Sequence, residues 1–94
     1  MPTWIRSDEL PPVQGDVHVA RRGEVIEVSV EVPGPMTDLE LAEANQRLDI
    51  PGLHRGDDGR IVYLLRVWQN HDGTVDASVL ARAVAAAREV RHGQ

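Results

Sequence analysis

The alternation of apolar and polar residues is most marked in Gly59–Gln69, GRIVYLLRVWQ. Read as a strand, this run places Ile61, Tyr63, Leu65 and Val67 on one face and Val62, Leu64 and Trp68 on the other, interrupted only by Arg60 and Arg66. A half-exposed strand carries one apolar face, and this one carries nearly two. It is therefore expected centrally in a sheet whose first face is covered by helices. The second face needs another cover: the N-terminal arm, a second copy of the chain, or a partner.

The flanking patterns supply the remaining elements. Asp16–Arg21 and Glu24–Val32 read as a hairpin turning at Arg22 and Gly23. In its second strand Ile26, Val28, Val30 and Val32 point one way and Glu27, Ser29 and Glu31 the other. Pro33, Gly34 and Pro35 end that strand. Thr37 and Glu40 form a T-x-x-E capping box, and Met36 and Leu41 have the spacing of a hydrophobic staple, so a helix is expected over 38–48 with Leu41, Ala44 and Leu48 inward and Asn45 beside the buried edge.

Pro51 and Gly52 close this helix. The Asp58-Gly59 pair is a hairpin signal, which pairs a short strand around Leu53–Arg55 with the start of the central strand, expected over 60–69. After the turn in NHDG, Asp76 is the expected cap of a second helix over 77–91. Its stripe is Val79, Leu80, Ala83, Val84, Ala87 and Val90, with Arg88, Arg91, His92 and Gly93 suited to its C-terminal end. The order is strand, strand, helix, strand, strand, helix. The expected fold is α+β, an antiparallel ββαββα sheet with two helices on one face, in one domain spanning 1–94. Residues 1–14 contain Pro11 and Pro12 and read as an extended arm, whose Trp4 and Ile5 are expected to fold back onto apolar surface.

Composition changes this picture mainly by exclusion. Ninety-four residues can bury roughly 60 to 65% of the unfolded surface. With no Phe, one Tyr and two Trp, the core must be aliphatic, and stacking platforms for single-stranded nucleic acid are lacking. A net charge of -5 and a pI near 5.2 argue against a phosphate-binding footprint, so no nucleic-acid partner is expected. All ten basic residues are arginines. The absence of cysteine removes disulfides, thiolate metal sites and cysteine nucleophiles. No apolar run approaches the roughly 18 residues of a membrane span and no signal-peptide pattern opens the chain, so the expectation is a cytoplasmic protein without membrane association.

Candidate chemistry is thin. His18, His54, His71 and His92 are scattered, with no HxxxH or HExxH spacing. His54 with Asp57 and Asp58 is the best metal option, yet adjacent carboxylates on a tight turn point apart. Aligning Gly59 or Gly73 with a calcium-loop glycine puts His54 or Trp68 where the first carboxylate belongs. Ser7, Ser29 and Ser78 lack a nucleophile-elbow context, and the Arg55-Gly56-Asp57 triplet has no export signal to support it. Catalytic, cofactor and metal residues are expected to be none. Thr37, Glu40, Asn45 and Asp76 are expected in structural polar roles.

The run from Leu39 to Ala87, LELAEANQRLDIPGLHRGDDGRIVYLLRVWQNHDGTVDASVLARAVAAA, resembles the YbjN-type domain of the type III secretion chaperone-like fold group. The features that carry the resemblance are a helix with Asn45 near its end, a short strand, a D-D-G turn, a strand of alternating aliphatics, and a loop into an Ala- and Leu-rich helix. The resemblance implies a small α+β protein that dimerises and binds or regulates other proteins without catalysing a reaction. It departs at the start, where such folds open with a helix and this chain has Pro11 and Pro12. The leading expectation is thus a non-enzymatic chaperone-like or regulatory protein-binding module, a homodimer whose interface is built from Trp4, Val62, Leu64, Arg66 and Trp68. The alternatives are an immunity- or antitoxin-like inhibitor using the glutamates at 24, 27, 31, 40 and 43, and a metal- or ligand-sensing domain or small enzyme using the 54–58 turn.

Overall fold

A computed structural model describes residues 3–9 and 13–92. Pro11, Pro12 and Gly93, to which the sequence assigns an extended arm and a helix cap, lie outside the described residues. The order of elements is β1 (Trp4–Arg6), a 3-10 turn (Ser7–Glu9), β2 (Val13–Gln14), β3 (Val17–Arg22), β4 (Val25–Val32), α1 (Asp38–Arg47), β5 (Leu53–Arg55), β6 (Ile61–Trp68), β7 (Thr74–Asp76) and α2 (Ala77–His92). The fold is α+β and antiparallel throughout, as the alternation predicts. β2, β3, β4, β6 and β5 lie side by side in that order, and β1 and β7 form a separate two-stranded ribbon.

The centre of the sheet is the β4–β6 pair, which runs in register over the whole of both strands from Val25 opposite Trp68 to Val32 opposite Ile61. Opposed residues share a face, so Ile26, Val28, Val30 and Val32 join Ile61, Tyr63, Leu65 and Val67 beneath the helices. All eight are buried, together with Val17, Val19 and Leu53 from the flanking strands. From α2, Leu80, Ala83, Val84, Ala87 and Val90 close the core. Val79 is a correction to the expected stripe: it is 37% exposed and stands at the margin, over the edge of β6.

The two helices share this layer unequally. α2 crosses β4 and β6, whereas α1 lies at the β5 edge and buries none of its residues completely, leaving Met36, Leu41, Ala44 and Leu48 half-buried against the core. α1 therefore leans on its termini. Thr37 Oγ1 accepts from the Glu40 backbone N–H at 3.1 Å while Glu40 Oε1 accepts from the Thr37 N–H at 2.9 Å, which completes the predicted capping box. Asp76 caps α2, its Oδ1 accepting from the Ser78 N–H at 2.9 Å.

Three short strands were not expected. β1 pairs with β7 through Trp4 opposite Asp76, Ile5 opposite Val75 and Arg6 opposite Thr74, so the arm is part of the fold. Ser7, buried, locks it in place: its N–H donates to the Gly73 carbonyl and its Oγ to Gln69 Oε1 at 2.6 Å. β2 extends the first hairpin, which is shifted one residue from the expected 16–21 and turns at Gly23, where φ is +61°.

Because α1 has so little tertiary burial, Thr37→Ala is expected to lower stability by about 1 kcal/mol, read from the urea midpoint. The backbone N–H of Thr37, and then its side chain, hold the Glu40 carboxyl below its ordinary pKa. The contribution of the box is therefore complete above the unfolded pKa and is lost as pH falls through the lowered folded value. The difference between wild type and Glu40→Gln should therefore shrink in acid, because the charged acceptor of the Thr37 N–H is what that substitution removes.

Candidate protein-binding face

The registers fix which residues line the second face of the sheet. β3 supplies His18, Ala20 and Arg22, β4 supplies Val25, Glu27, Ser29 and Glu31, and β6 supplies Val62, Leu64, Arg66 and Trp68, with His54 from β5 at the margin. One row across the strands reads Arg22, Val25, Trp68, the next Ala20, Glu27, Arg66, and the third His18, Ser29, Leu64.

No element of the described chain packs over this face. Trp68 is 71% exposed, and Val25, Val62 and Leu64 are half-buried. Residues 3–9 of the arm do not supply the cover. β1 pairs with β7 instead, Ile5 packs against the main core on the helix side, and Trp4 remains 52% exposed. Of the expected interface set, Val62, Leu64, Arg66 and Trp68 are thus brought together on one surface, while Trp4 sits on the ribbon, away from that set in the strand order.

The charges on the face are paired within the chain. Glu27 lies between two arginines, 2.6 Å from Arg22 Nε and 3.4 Å from Arg66 Nε, and Arg60 reaches Glu31 at 3.5 Å. Such exposed pairs contribute little to stability, on the order of 0 to 1 kcal/mol. Their effect is to leave an apolar platform with both signs of charge on it. With Glu40 in the capping box as well, the glutamates expected to form an acidic surface are in part committed to internal contacts.

The 54–58 turn does not converge on a site. His54 is exposed on β5, Asp58 accepts from the Arg60 N–H at 3.0 Å and pairs with its guanidinium at 3.3 Å, and Gly59 makes the turn with φ +85°. Among the described residues no group of three or more His, Asp or Glu side chains is gathered where it could hold a metal ion, and no buried side-chain polar atom lacks a hydrogen-bond partner.

The Asn45 side chain makes three hydrogen bonds. Its Oδ1 accepts from the N–H groups of Gly52 at 3.1 Å and Leu53 at 2.9 Å, and its Nδ2 donates to the Leu53 carbonyl at 2.9 Å. These bonds tie the end of α1 to the start of β5. Gly52 is obligatory beside them, since a Cβ there would lie 2.7 Å from the Leu64 carbonyl oxygen. Tyr63, buried, donates from its hydroxyl to the Ile50 carbonyl at 2.6 Å and fixes the same loop from the core side.

The pattern of the sequence missed Val25, Ile50 and Val79 as surface residues of consequence. Val25 was legible as the odd member of the β4 alternation, but Ile50 and Val79 carry no local signal, because only packing places them side by side. No family model, no curated protein and no solved structure matches the chain. Among the described residues, no helix is long and apolar enough to cross a membrane.

Two outcomes follow from the Asn45 and Tyr63 contacts. Asn45→Ala leaves the N–H groups of Gly52 and Leu53 and the Leu53 carbonyl without their side-chain partner and should cost about 1 to 3 kcal/mol in urea unfolding, more than Thr37→Ala. Burial, and then the charge of Asp49, raise the Tyr63 phenol above its ordinary value of 10.0. Stability is therefore complete below that unfolded value and falls as pH rises through the folded one. As Tyr63 is the sole tyrosine, phenolate absorbance should appear at higher pH in the native protein than in urea; coincident titrations would show that the hydroxyl is open to water.

Proposed function

We propose that this chain is a non-enzymatic protein-binding module of the chaperone-like or regulatory kind, working in the cytoplasm as a homodimer that joins through the second face of its five-stranded sheet. The observation that carries this reading is Trp68, 71% exposed on a sheet face beside Leu64, Val62 and Val25. A Trp with aliphatic neighbours on a rigid platform has the makings of an interface anchor. The resemblance of residues 39–87 to the YbjN-type domain supports the same reading, since it implies dimerisation and protein binding without catalysis.

A second copy is the occupant that the charges favour. The chain as a whole carries -5, which opposes self-association over most of its surface. The face is the exception, because Arg22 and Arg66 flank Glu27, and Arg60 meets Glu31. A two-fold related copy brings the same mixed set, so each Glu27 can approach an arginine of the other copy while Trp68 and Leu64 find apolar surface.

Light scattering on the wild type and on Leu64→Arg tests the homodimer. The expected result is a wild-type dimer and a folded, monomeric variant with an unchanged circular dichroism spectrum. A monomeric wild type at high concentration, or a dimer that survives the substitution, would remove this interface.

A further inference from the structure

β6 has an edge that the described residues leave open. β5 pairs with it only from Ile61 to Tyr63, and the last bond between them is from the Leu64 N–H to the Gly52 carbonyl at 3.0 Å. Pro51 and Gly52 then carry the chain away. In an antiparallel strand alternate residues bond to alternate sides. Arg60 and Leu64 bond toward β5 and Gln69 bonds toward β4, to the Glu24 carbonyl, so the N–H and C=O groups of Arg66 and Trp68 face the β5 side. Among the described residues no strand pairs with 65–68 on that side.

A cleft of about 300 Å³ lies beside this edge. Leu65, Val67 and Ala83 line it together with Ile50 and Val79, two of the large apolar side chains that stay exposed, at 53% and 37%. Its charged residues are Arg66 and Arg82, and no acid lines it. On a chain of net charge -5 this is a local basic and apolar site.

We propose that the Leu64–Trp68 edge takes up an extended segment of a partner protein as an added strand, one that is apolar at alternate positions and acidic between them. The main chain of the segment would bond to Arg66 and Trp68, its apolar side chains would enter the cleft on the helix side, and its carboxylates, on the other face, would meet Arg66. Five residues of edge give a contact roughly 17 Å long. An exposed edge invites indiscriminate pairing, and charged side chains are the usual guard against it. Here the guard also selects. The β6 edge of a second copy would bring two Arg66 side chains together on the second face, whereas an acidic segment neutralises the one it meets. The proposal rests on the protein-binding reading; it shares the Arg66 side chain with the homodimer face, while its main-chain bonds and its cleft lie at the edge of β6.

The test is fluorescence anisotropy with a labelled, end-blocked peptide of about seven alternating Val and Glu residues. Saturable binding to the wild type is expected, about tenfold weaker with Val79→Arg and with a Val–Lys peptide of the same length. N-methylation of one alternate set of peptide amides should weaken binding about tenfold while the other set leaves it nearly unchanged, which is the signature of a strand bonded on one side. This comparison uses the unaltered protein, so it holds even if Val79→Arg unfolds.

The proposal is overturned by no binding at millimolar peptide, by equal effects of the two methylated sets, or by equal affinity for the Val–Lys peptide. Loss of binding in Leu64→Arg with retention in Val79→Arg would place the peptide on the sheet face and also overturn it. Dimerisation abolished by Val79→Arg and not by Leu64→Arg would make a second copy the occupant of the edge. A monomeric wild type that binds the peptide with the methylation asymmetry would remove the homodimer and leave the added strand standing.

Discussion

The in-register pairing of Val25–Val32 with Ile61–Trp68 is the constraint on which the rest of the structure depends. A slip of one residue would exchange the two faces of either strand, sending Ile26, Val28 and Val30 into water and Glu27 into the core. The burial of Tyr63, Ile26, Ile61, Val28, Val30 and Val32, each at or below 2% exposure, makes such a slip costly, because each side chain contributes roughly 1.5 to 3 kcal/mol when removed from water. The same register that buries one face lays out the other. Trp68, Leu64 and Val62 are aligned with Val25, Ser29 and Glu31 because their neighbours on the opposite face have to be aligned.

The edge of β6 is decided by a second, smaller set of contacts. Asn45 holds Gly52 and Leu53, Tyr63 holds the Ile50 carbonyl, and the close approach of Gly52 to Leu64 admits no side chain. Together they make the chain leave the sheet after three paired residues. The consequence lies several residues away: among the described residues half of a central strand has no neighbour on one side, and Ile50 and Val79 become the two walls of the cleft beside it. An interior held this firmly can present an unpaired edge without losing its own order, and that combination is what a strand-adding partner requires.

The N-terminal segment shows how a short element can be placed by capture and not by its own propensity. Three residues of β1 have too few bonds to be stable alone. They are held by β7, by the insertion of Ser7 between Gly73 and Gln69, and by the donation of the Ala77 N–H to the Thr3 carbonyl. Gln69 in turn donates to the Gly23 carbonyl, so the arm, the first hairpin and the end of β6 share one hydrogen-bonded corner.

The sequence by itself determined the elements that have enough residues for a period to be counted. β3, β4, β6 and both helices are legible in the alternation of Ile26 to Val32, the double pattern of Ile61 to Trp68, the T-x-x-E box at Thr37 and the stripe from Leu80 to Val90, and the three-residue β5 in the Asp58-Gly59 turn that pairs it with β6. The antiparallel α+β order and the apolar second face of β6 follow from those patterns. Strands of two or three residues carry no period, so β1, β2 and β7 arise only from long-range pairing, as Trp4 with Asp76 illustrates. Which surfaces stay open was likewise a tertiary decision. Periodicity says that Val62, Leu64, Trp68 and Val79 are apolar and gives each a direction, but whether anything lies in that direction depends on where the arm pairs, where β5 stops and how α2 crosses the sheet. Those are distances between parts of the chain far apart in sequence, and a local pattern contains no information about them.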